Sequence, residues 1–299
     1  TQAVKDAGFA IEEGDFFGIV GESGSGKSVT TKSILRLGPS NCRIMGGEIL
    51  FQGEDILKKS EAELREIRGG EIAMIFQDSL SALNPVYTVG NKMVELIRRH
   101  TSMTKKEAKA RVLELLTAVG ITDPEKAMRS YPHELSGGMR QRVMIAMAMS
   151  SNPKVLIADE PTTALDVTIQ AQILHLLLEL QKKNNMSIIL ITHDLGVVAQ
   201  TCKRVAVMCG GYVVEEGTVE EIFLNPGHPY TQALIASMPR VGGTFEQFLE
   251  RDLSDGSGNL CPFLNRCKYA DKTCEACLPK YYESSENHKI LCHRREEEK

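Results

Sequence analysis

The stretch FFGIVGESGSGKS at residues 16–28 decides the fold that the sequence predicts. A short apolar strand at 16–20 runs directly into a glycine-rich turn, and a helix is predicted from about Lys27 to Leu37. The turn fits the pattern G-x-x-x-x-G-K-S/T, in which converging backbone N–H groups and the positive end of the helix bind phosphate. Lys27 is expected to contact the β- and γ-phosphates of a nucleotide, and the Ser28 hydroxyl to bind Mg²⁺. The predicted phosphate-binding residues are Gly21, Glu22, Ser23, Gly24, Ser25, Gly26, Lys27, Ser28 and Val29.

A second apolar strand, at residues 155–158, ends in two acids, Asp159 and Glu160. In sheets flanked by helices, ligands bind at the carboxyl ends of the strands. Asp159 is therefore expected to hold Mg²⁺ through water, and Glu160 to orient or deprotonate the attacking water. The alternative is that both acids merely cap the next helix. The phosphate loop in the same chain favours the role in binding Mg²⁺ and water over this alternative.

Strands and helices alternate along most of the chain, which predicts an α/β fold with a parallel sheet and helices on its faces. Further strands are predicted at 48–51, 71–76, 187–192 and 205–208, and a helix at 169–181. Between residues 77 and 151 the strand pattern disappears, and apolar spacing predicts helices at 89–99 and 105–119. We expect a nucleotide-binding core at 1–76 and 152–238, a helical insertion at 77–151, and a C-terminal linker and cysteine-rich tail at 239–299.

The motif Leu135-Ser136-Gly137-Gly138-Met139 opens a helix and makes a second candidate anion site. A second γ-phosphate site remote from the first is useful when two chains pack head to tail and each closes the nucleotide of the other. With this motif the chain resembles the ABC ATPase family. The resemblance implies a P-loop NTPase fold, ATP hydrolysis, and contacts from Ser136, Gly137 and Gly138 to the nucleotide of a partner.

Three further motifs follow in the order of that family. Gln77 after a strand resembles the Q-loop glutamine, Ala164-Leu165-Asp166 resembles the D-loop, and His193 resembles the switch histidine. The resemblance implies catalytic roles for Glu160, His193 and Gln77, with Gln77 also a ligand of Mg²⁺. In that family an aromatic residue well before the phosphate loop stacks on the adenine. The matching position would fall at or before Thr1. Phe9 is closer to the loop and is interpreted as a core residue.

Three longer segments resemble the dipeptide and oligopeptide importer branch: residues 81–85, 159–170 and 228–234, the last reading HPYTQAL. Members of this branch work with a second ATPase subunit, two membrane permeases and an extracytoplasmic binding protein. The resemblance implies a peripheral protein on the cytoplasmic face of the membrane. It does not specify the solute, nor whether the two ATPase subunits are identical.

Five of the eight cysteines lie between residues 261 and 292, and they predict a metal site. Zinc and an iron–sulfur cluster both accept four thiolates. In the importer branch, matching motifs imply a 4Fe–4S cluster on Cys261, Cys267, Cys274 and Cys292. Cys277 departs from that pattern and could compete as a ligand. Because the cysteines are far from the phosphate loop in sequence, we expect the cluster to affect stability or assembly before ATP affinity.

The other cysteines, Cys42, Cys202 and Cys209, are interpreted as small buried apolar residues.

The composition argues against several other classes of function. The chain has 299 residues, 42% hydrophobic and 25% charged, with a net charge of −4, and this balance argues against a nucleic-acid partner. No apolar run approaches the ~18 residues of a membrane span, and the start does not resemble an export signal. One alternative is a soluble ABC ATPase that acts on DNA or ribosomes, but such proteins usually have two ATPase domains or basic faces, which this sequence does not show. Another alternative is a catalytically inactive relative, and the presence of both Glu160 and His193 argues against it.

Overall fold

The structure is a computed structural model, and it describes residues 2–39, 41–77, 82–163, 165–238, 260–285 and 287–295. Ser81, Ala164 and residues 239–259 of the predicted linker and tail lie outside the described residues. The chain divides into two compact units. The first comprises residues 1–11, 15–31 and 191–299, and the second comprises residues 12–14 and 32–190.

The second unit contains the strands β2 to β6 and the helices α2 to α7. The strands are β2 (Leu50–Phe51), β3 (Glu54–Asp55), β4 (Ile72–Ile75), β5 (Val155–Asp159) and β6 (Ser187–Ile191), whose last residue belongs to the first unit. The helices are α2 (Glu61–Ile67), α3 (Val89–His100), α4 (Lys105–Ala118), α5 (Pro124–Arg129), α6 (Gly137–Ala148) and α7 (Val167–Asn184). β4 pairs with β5 in parallel, and β6 follows β5 in the strand order.

Local sequence signals explain where the helices of the second unit begin. Thr104 and Glu107 form a capping box at α4, in which each side chain accepts the backbone N–H of the other residue. Thr88 and Asp166 cap α3 and α7 in the simpler way, each accepting from the N–H three residues on. Helices α3 and α4 pack together through buried apolar side chains. The bounds of α3 and α4 lie within one residue of the helices that apolar spacing predicted at 89–99 and 105–119.

The first unit contains the remaining elements. Its strands are β1 (Phe16–Val20), β7 (Arg204–Cys209), β8 (Tyr212–Thr218), β9 (Tyr281–Ser285) and β10 (His288–Leu291). Its helices are α8 (Leu195–Thr201), α9 (Val219–Leu224), α10 (Pro229–Ala236) and α11 (Lys272–Ala276), and α1 (Lys27–Ile34) begins in it. β1 pairs with β7 in parallel, as expected for a fold with a parallel sheet.

Beyond β7, the first unit continues with antiparallel strands that the sequence pattern did not predict. β7 pairs with β8, β8 with β10, and β10 with β9, all antiparallel. The sheet is therefore mixed rather than parallel throughout. Because β9 and β10 come from the cysteine-rich segment, that segment extends the sheet, and its residues Phe263 and Leu291 belong to the hydrophobic core of the unit.

Two smaller observations concern the sequence predictions and the membrane. Phe9 stacks on Phe17 with ring centroids 5.4 Å apart, which agrees with its interpretation as core. Cys209 is buried and Cys202 half-buried, but Cys42 is exposed because it lies in an irregular segment outside the helices and strands, so its prediction as buried was wrong. Within the described part of the chain, no helix combines the length and apolarity needed to cross a bilayer.

Candidate functional site

The phosphate loop leaves β1 in the first unit and runs into α1. The Lys27 side chain is 5% exposed and turns back over the loop, where its Nζ donates to the carbonyls of Gly21 at 2.7 Å and Glu22 at 2.8 Å. The Ser25 N–H donates to the same Glu22 carbonyl, and the Ser25 carbonyl accepts from Gly211. These hydrogen bonds hold the loop around the Lys27 ammonium group. The backbone after the loop forms the N-terminus of α1. This arrangement can bind phosphate oxygens.

Two glycines of the loop are sterically required. Gly21 has φ +149°, and a Cβ there would lie 2.1 Å from the Met208 carbonyl oxygen. Gly26 has φ +103°, and a Cβ there would lie 2.7 Å from the Ala3 carbonyl oxygen. In both cases the obstacle is backbone, which cannot rotate away as a side chain could. The sequence motif therefore reflects close packing of the loop as well as the curvature that glycine permits.

The acids at the end of β5 lie in the second unit. Asp159 is fully buried, with an oxygen 3.9 Å from Lys32 Nζ. Glu160 follows with φ +48°, a left-handed conformation that is uncommon for a residue with a side chain. Its Oε2 accepts hydrogen bonds from Gln77 Nε2 and Thr163 Oγ1, both at 2.9 Å. The structure therefore brings together two of the three predicted catalytic residues, Gln77 and Glu160, and fixes the carboxylate between two donors.

His193 lies in the first unit, just after β6. The preceding Thr192 donates its N–H to the Ile19 carbonyl of β1, and its hydroxyl accepts from the Asp194 N–H. His193 is exposed and lies beside the strand that leads into the phosphate loop. Its contact with the γ-phosphate stays a prediction.

The second anion motif forms the start of α6. Ser136 is exposed and its hydroxyl accepts from the Met139 N–H, the usual geometry of an N-cap. A Cβ on Gly138 would lie 3.0 Å from Ile169, and one on Gly137 would lie 3.5 Å from Leu165. Glycine at 138 therefore permits close packing against Ile169, while Ser136 at the start of the helix stays exposed.

The cysteine-rich segment of the first unit encloses a small cavity. Four of its cysteines, Cys261, Cys267, Cys274 and Cys292, line the cavity, whereas Cys277 is exposed and is not among the lining residues. Burial raises the pKa of Cys261 to about 11, and burial also raises the pKa of Cys274 and Cys292. The neutral thiols are therefore favoured unless a cation binds among them.

No group of three or more His, Cys, Asp or Glu side chains in the described part of the chain is arranged to hold a metal ion. The side chains at the predicted metal site are therefore not already placed to bind a single metal ion. The four matched cysteines line the cavity and Cys277 does not, but their assignment as ligands stays a prediction.

Sequence reasoning missed a contact between the cysteine-rich segment and the phosphate loop. Arg266 Nη1 and Nη2 each donate to one carboxylate oxygen of Glu22 at 2.8 Å. The Tyr230 hydroxyl accepts from the Glu22 backbone N–H, also at 2.8 Å. Arg266 is next to a cysteine and Tyr230 lies in the HPYT segment, but no spacing rule connects either residue to the loop.

Two family models match the chain. One, described as "ABC transporter", matches residues 4–163, and the other, described as "Oligopeptide/dipeptide transporter, C-terminal region", matches residues 214–274.

Curated relatives and solved structures agree with these matches. The dipeptide transport ATP-binding protein DppD of Bacillus subtilis is 48% identical over 98% of this chain and 89% of its own length. The oligopeptide transport ATP-binding protein OppD of the same organism is 55% identical over 83% of this chain and 70% of its own. Among structures, the ATP-binding cassette MJ0796, a dimer in a post-hydrolysis state bound to ADP and Pi, covers 73% of this chain and 90% of its own, with TM-score 0.65 and 30% identity.

Proposed function

This chain belongs to the ABC transporter family, and from that premise we propose that it is the ATP-hydrolysing subunit of an importer of dipeptides or oligopeptides. The observation that carries the proposal is the similarity along nearly the whole chain to relatives named for dipeptide transport. The match at 214–274 supports the same branch, because that model is described by oligopeptide and dipeptide transport. The nucleotide is ATP with Mg²⁺, as in the family.

The proposed ATP site is assigned from the motifs identified in the sequence. The loop at 21–29 would hold the phosphates, and Ser136, Gly137 and Gly138 would close the nucleotide of a partner ATPase subunit. Ser28, Gln77 and Asp159 would hold Mg²⁺, and they fit the ion because they offer the hard oxygen ligands that it prefers. Gln77 already uses its Nε2 on Glu160, so its amide oxygen is the atom assigned to the metal. Mg²⁺ would neutralise charge that develops on the phosphates.

Glu160 and His193 would act on the attacking water and the γ-phosphate. The two hydrogen bonds to Glu160 Oε2 restrict the rotation of the carboxylate, which supports a role in orienting water. We also propose the division into a nucleotide-binding core at 1–76 and 152–238, a helical insertion at 77–151 and a C-terminal segment at 239–299. The helical insertion would transmit the presence of the γ-phosphate to the membrane subunits.

The proposed assembly contains a second ATPase subunit, two permease subunits and an extracytoplasmic binding protein, with this chain peripheral on the cytoplasmic face of the membrane. The test is to co-express the chain with its permeases, reconstitute the complex in liposomes, and follow ATP-dependent uptake of labelled dipeptides and longer peptides. Uptake that disappears with Lys27→Ala supports the proposal. ATP hydrolysis without transport of any peptide, in a complex that carries another solute, contradicts the peptide assignment.

The four cavity cysteines would hold a 4Fe–4S cluster, with zinc as the alternative. Support comes from the chemistry of the donor set, since four thiols line one cavity while Cys277 does not. The thiolates of such a cluster bind different irons, so they need not converge on one point as ligands of a single zinc ion must. The cluster, when bound, would act as a structural staple for a small segment.

Iron analysis of anaerobically purified protein tests the cluster, which predicts about four irons per chain and a brown colour. Serine at Cys261, Cys267, Cys274 or Cys292 should remove the iron, and Cys277→Ser should retain it. Stoichiometric zinc without iron would overturn the cluster, and loss of iron in Cys277→Ser with retention in Cys274→Ser would reverse the ligand assignment.

A further inference from the structure

The cysteine-rich segment holds one residue of the phosphate loop by both its backbone and its side chain. Arg266 makes two parallel hydrogen bonds to the Glu22 carboxylate, and the Tyr230 hydroxyl accepts from the Glu22 N–H. All of these residues belong to the first unit. A two-pronged arginine–carboxylate contact fixes orientation as well as distance, which a single ion pair does not.

The arginine is the fixed partner of this pair. Its side chain is 9% exposed, against 40% for the Glu22 side chain. The guanidinium lies over the rings of Phe263 and Tyr230, with centroid distances of 5.1 and 5.8 Å. Since a planar guanidinium stacked on two rings has little rotational freedom, Glu22 is held by Arg266 rather than the reverse.

The charge of Glu22 makes this contact important for phosphate binding. Glu22 is an acid inside a loop built to bind anions, and its carbonyl accepts from the Lys27 ammonium. An unpaired carboxylate there would repel the phosphates and attract Lys27 away from them. Paired with Arg266, the carboxylate is neutralised, and the loop keeps the curvature that its carbonyl contacts show.

Arg266 does not line the thiol cavity itself, but its neighbours Leu264 and Cys267 do. It ends the one-turn 3₁₀ helix Leu264–Arg266, which lies between Cys261 and Cys267. The Leu264 N–H donates to the Cys261 carbonyl, and the Cys267 N–H donates to the Leu264 carbonyl. Because both cysteines line the cavity, whatever fixes their thiols also fixes the turn that carries Arg266.

We propose that Arg266 is a positioning residue for the phosphate loop, and that through it the cysteine-rich segment sets the affinity of the site for nucleotide. The inference rests on the proposed nucleotide site at residues 21–29. It replaces the expectation that changes at the cysteines would spare ATP affinity, because the two motifs are far apart in sequence but in contact in the fold.

The first test is a charge cycle on the full chain, read out as the dissociation constant of ADP. Arg266→Met should weaken ADP binding about tenfold, within the usual range of coupling between two sites. Glu22→Gln should weaken ADP binding less than Arg266→Met does, because it removes the repelling charge together with part of the contact. The double variant should bind ADP within about twofold of Glu22→Gln, because no unpaired carboxylate is left in the loop. Lys268→Met is the matched control: it removes an exposed positive charge two residues away that does not contact the loop.

Each outcome of the cycle decides the proposal. Unchanged ADP affinity in Arg266→Met overturns it. A double variant as weak as Arg266→Met overturns the electrostatic role, and rescue by Glu22→Gln excludes simple misfolding as the cause of the weakness. If the wild-type chain binds no ADP, or binds it equally well with Lys27→Ala, the nucleotide site itself fails, which is a distinct result.

The second test asks whether the cysteines act through Arg266. Cys267→Ser should weaken ADP binding in the wild-type background and have little further effect in the Arg266→Met background. Cys277→Ser should leave ADP binding unchanged in both, because Cys277 is not in the cavity wall. Independent, additive effects of Cys267→Ser and Arg266→Met would mean that the segment does not act through this arginine.

Discussion

Glu160→Gln isolates the chemistry of the proposed site from its geometry. Gln77 and Thr163 both donate to Oε2 of Glu160, and an amide oxygen in the same place can accept from both. Charged hydrogen bonds are about twice as strong as neutral ones of about 1 kcal/mol each, so the local loss is about 1–2 kcal/mol. Residue 160 has φ +48°, a backbone conformation that is as unfavourable for glutamine as for glutamate. The substitution therefore does not change this contribution to stability. The fold and the binding of ATP should therefore persist.

The effect on hydrolysis should be much larger. A positioned general base contributes about 10²- to 10⁴-fold to a rate, which corresponds to about 3–5 kcal/mol of activation free energy. We expect Glu160→Gln to lower the rate constant for single-turnover phosphate release in the assembled complex by that factor, with ATP affinity unchanged or tighter. The ATP-bound dimer should accumulate, because binding continues while the water is no longer activated.

Two companion variants make the result specific. Thr163→Val removes one donor but keeps the carboxylate, so it should slow hydrolysis far less than Glu160→Gln. Glu125→Gln, on an exposed helix in contact with Arg129, should leave the rate unchanged. A single-turnover rate for Glu160→Gln within a few-fold of the wild type would refute the assignment of Glu160 as the group that handles water.

Four further substitutions examine the rest of the site. Lys27→Ala should weaken ATP binding at least tenfold in equilibrium titration, because it removes the buried ammonium over the loop; unchanged affinity would contradict the phosphate cradle. Ser136→Arg should abolish hydrolysis at the partner's loop while ATP still binds at Lys27, with Ser136→Asn as a control that keeps the helix cap; an active assembled ATPase would contradict the two-chain site. Gln77→Ala should lower the stimulation of ATPase activity during transport more than it lowers the affinity for nucleotide, with activity measured in the presence and absence of the binding protein. Equal losses of stimulation and affinity would argue against a coupling role. Gly21→Ala should destabilise the fold by several kcal/mol in denaturant unfolding, because its Cβ would meet the Met208 carbonyl, and a wild-type midpoint would show that the loop can relax.

The sequence was most informative where local order and chemistry coincide. The strand at 16–20 has the predicted bounds, because four apolar side chains in five residues, followed by a glycine turn, leave little freedom for another structure. The helices α3 and α4 followed from apolar spacing, and the start of α6 followed from Ser136 and the two glycines after it. In each case the residues that determine the element are within one or two turns of it.

Prediction failed where a structure depends on distant partners. β8 contains Glu215 and Glu216, two acids that do not suggest a buried strand, yet Glu215 is fully buried. Its carboxylate accepts from the N–H groups of Gly227 and His228 and lies 2.7 Å from His288 Nε2. A buried carboxylate is tolerable only when such partners surround it. They come from two later segments of the chain, so no local pattern could reveal them.

The division of the chain into units also sets an order of events during synthesis. Residues 32–190 of the second unit are continuous in sequence, so they can begin to fold as soon as they leave the ribosome. The first unit must wait, because β1 pairs with β7, in register Gly18 with Val205, and these strands are made at opposite ends of the second unit. At ~5–20 residues per second, β1 spends roughly 10–40 s without this partner. During that time a five-residue segment with four apolar side chains remains an unpaired strand, the kind of segment that chaperones protect from aggregation.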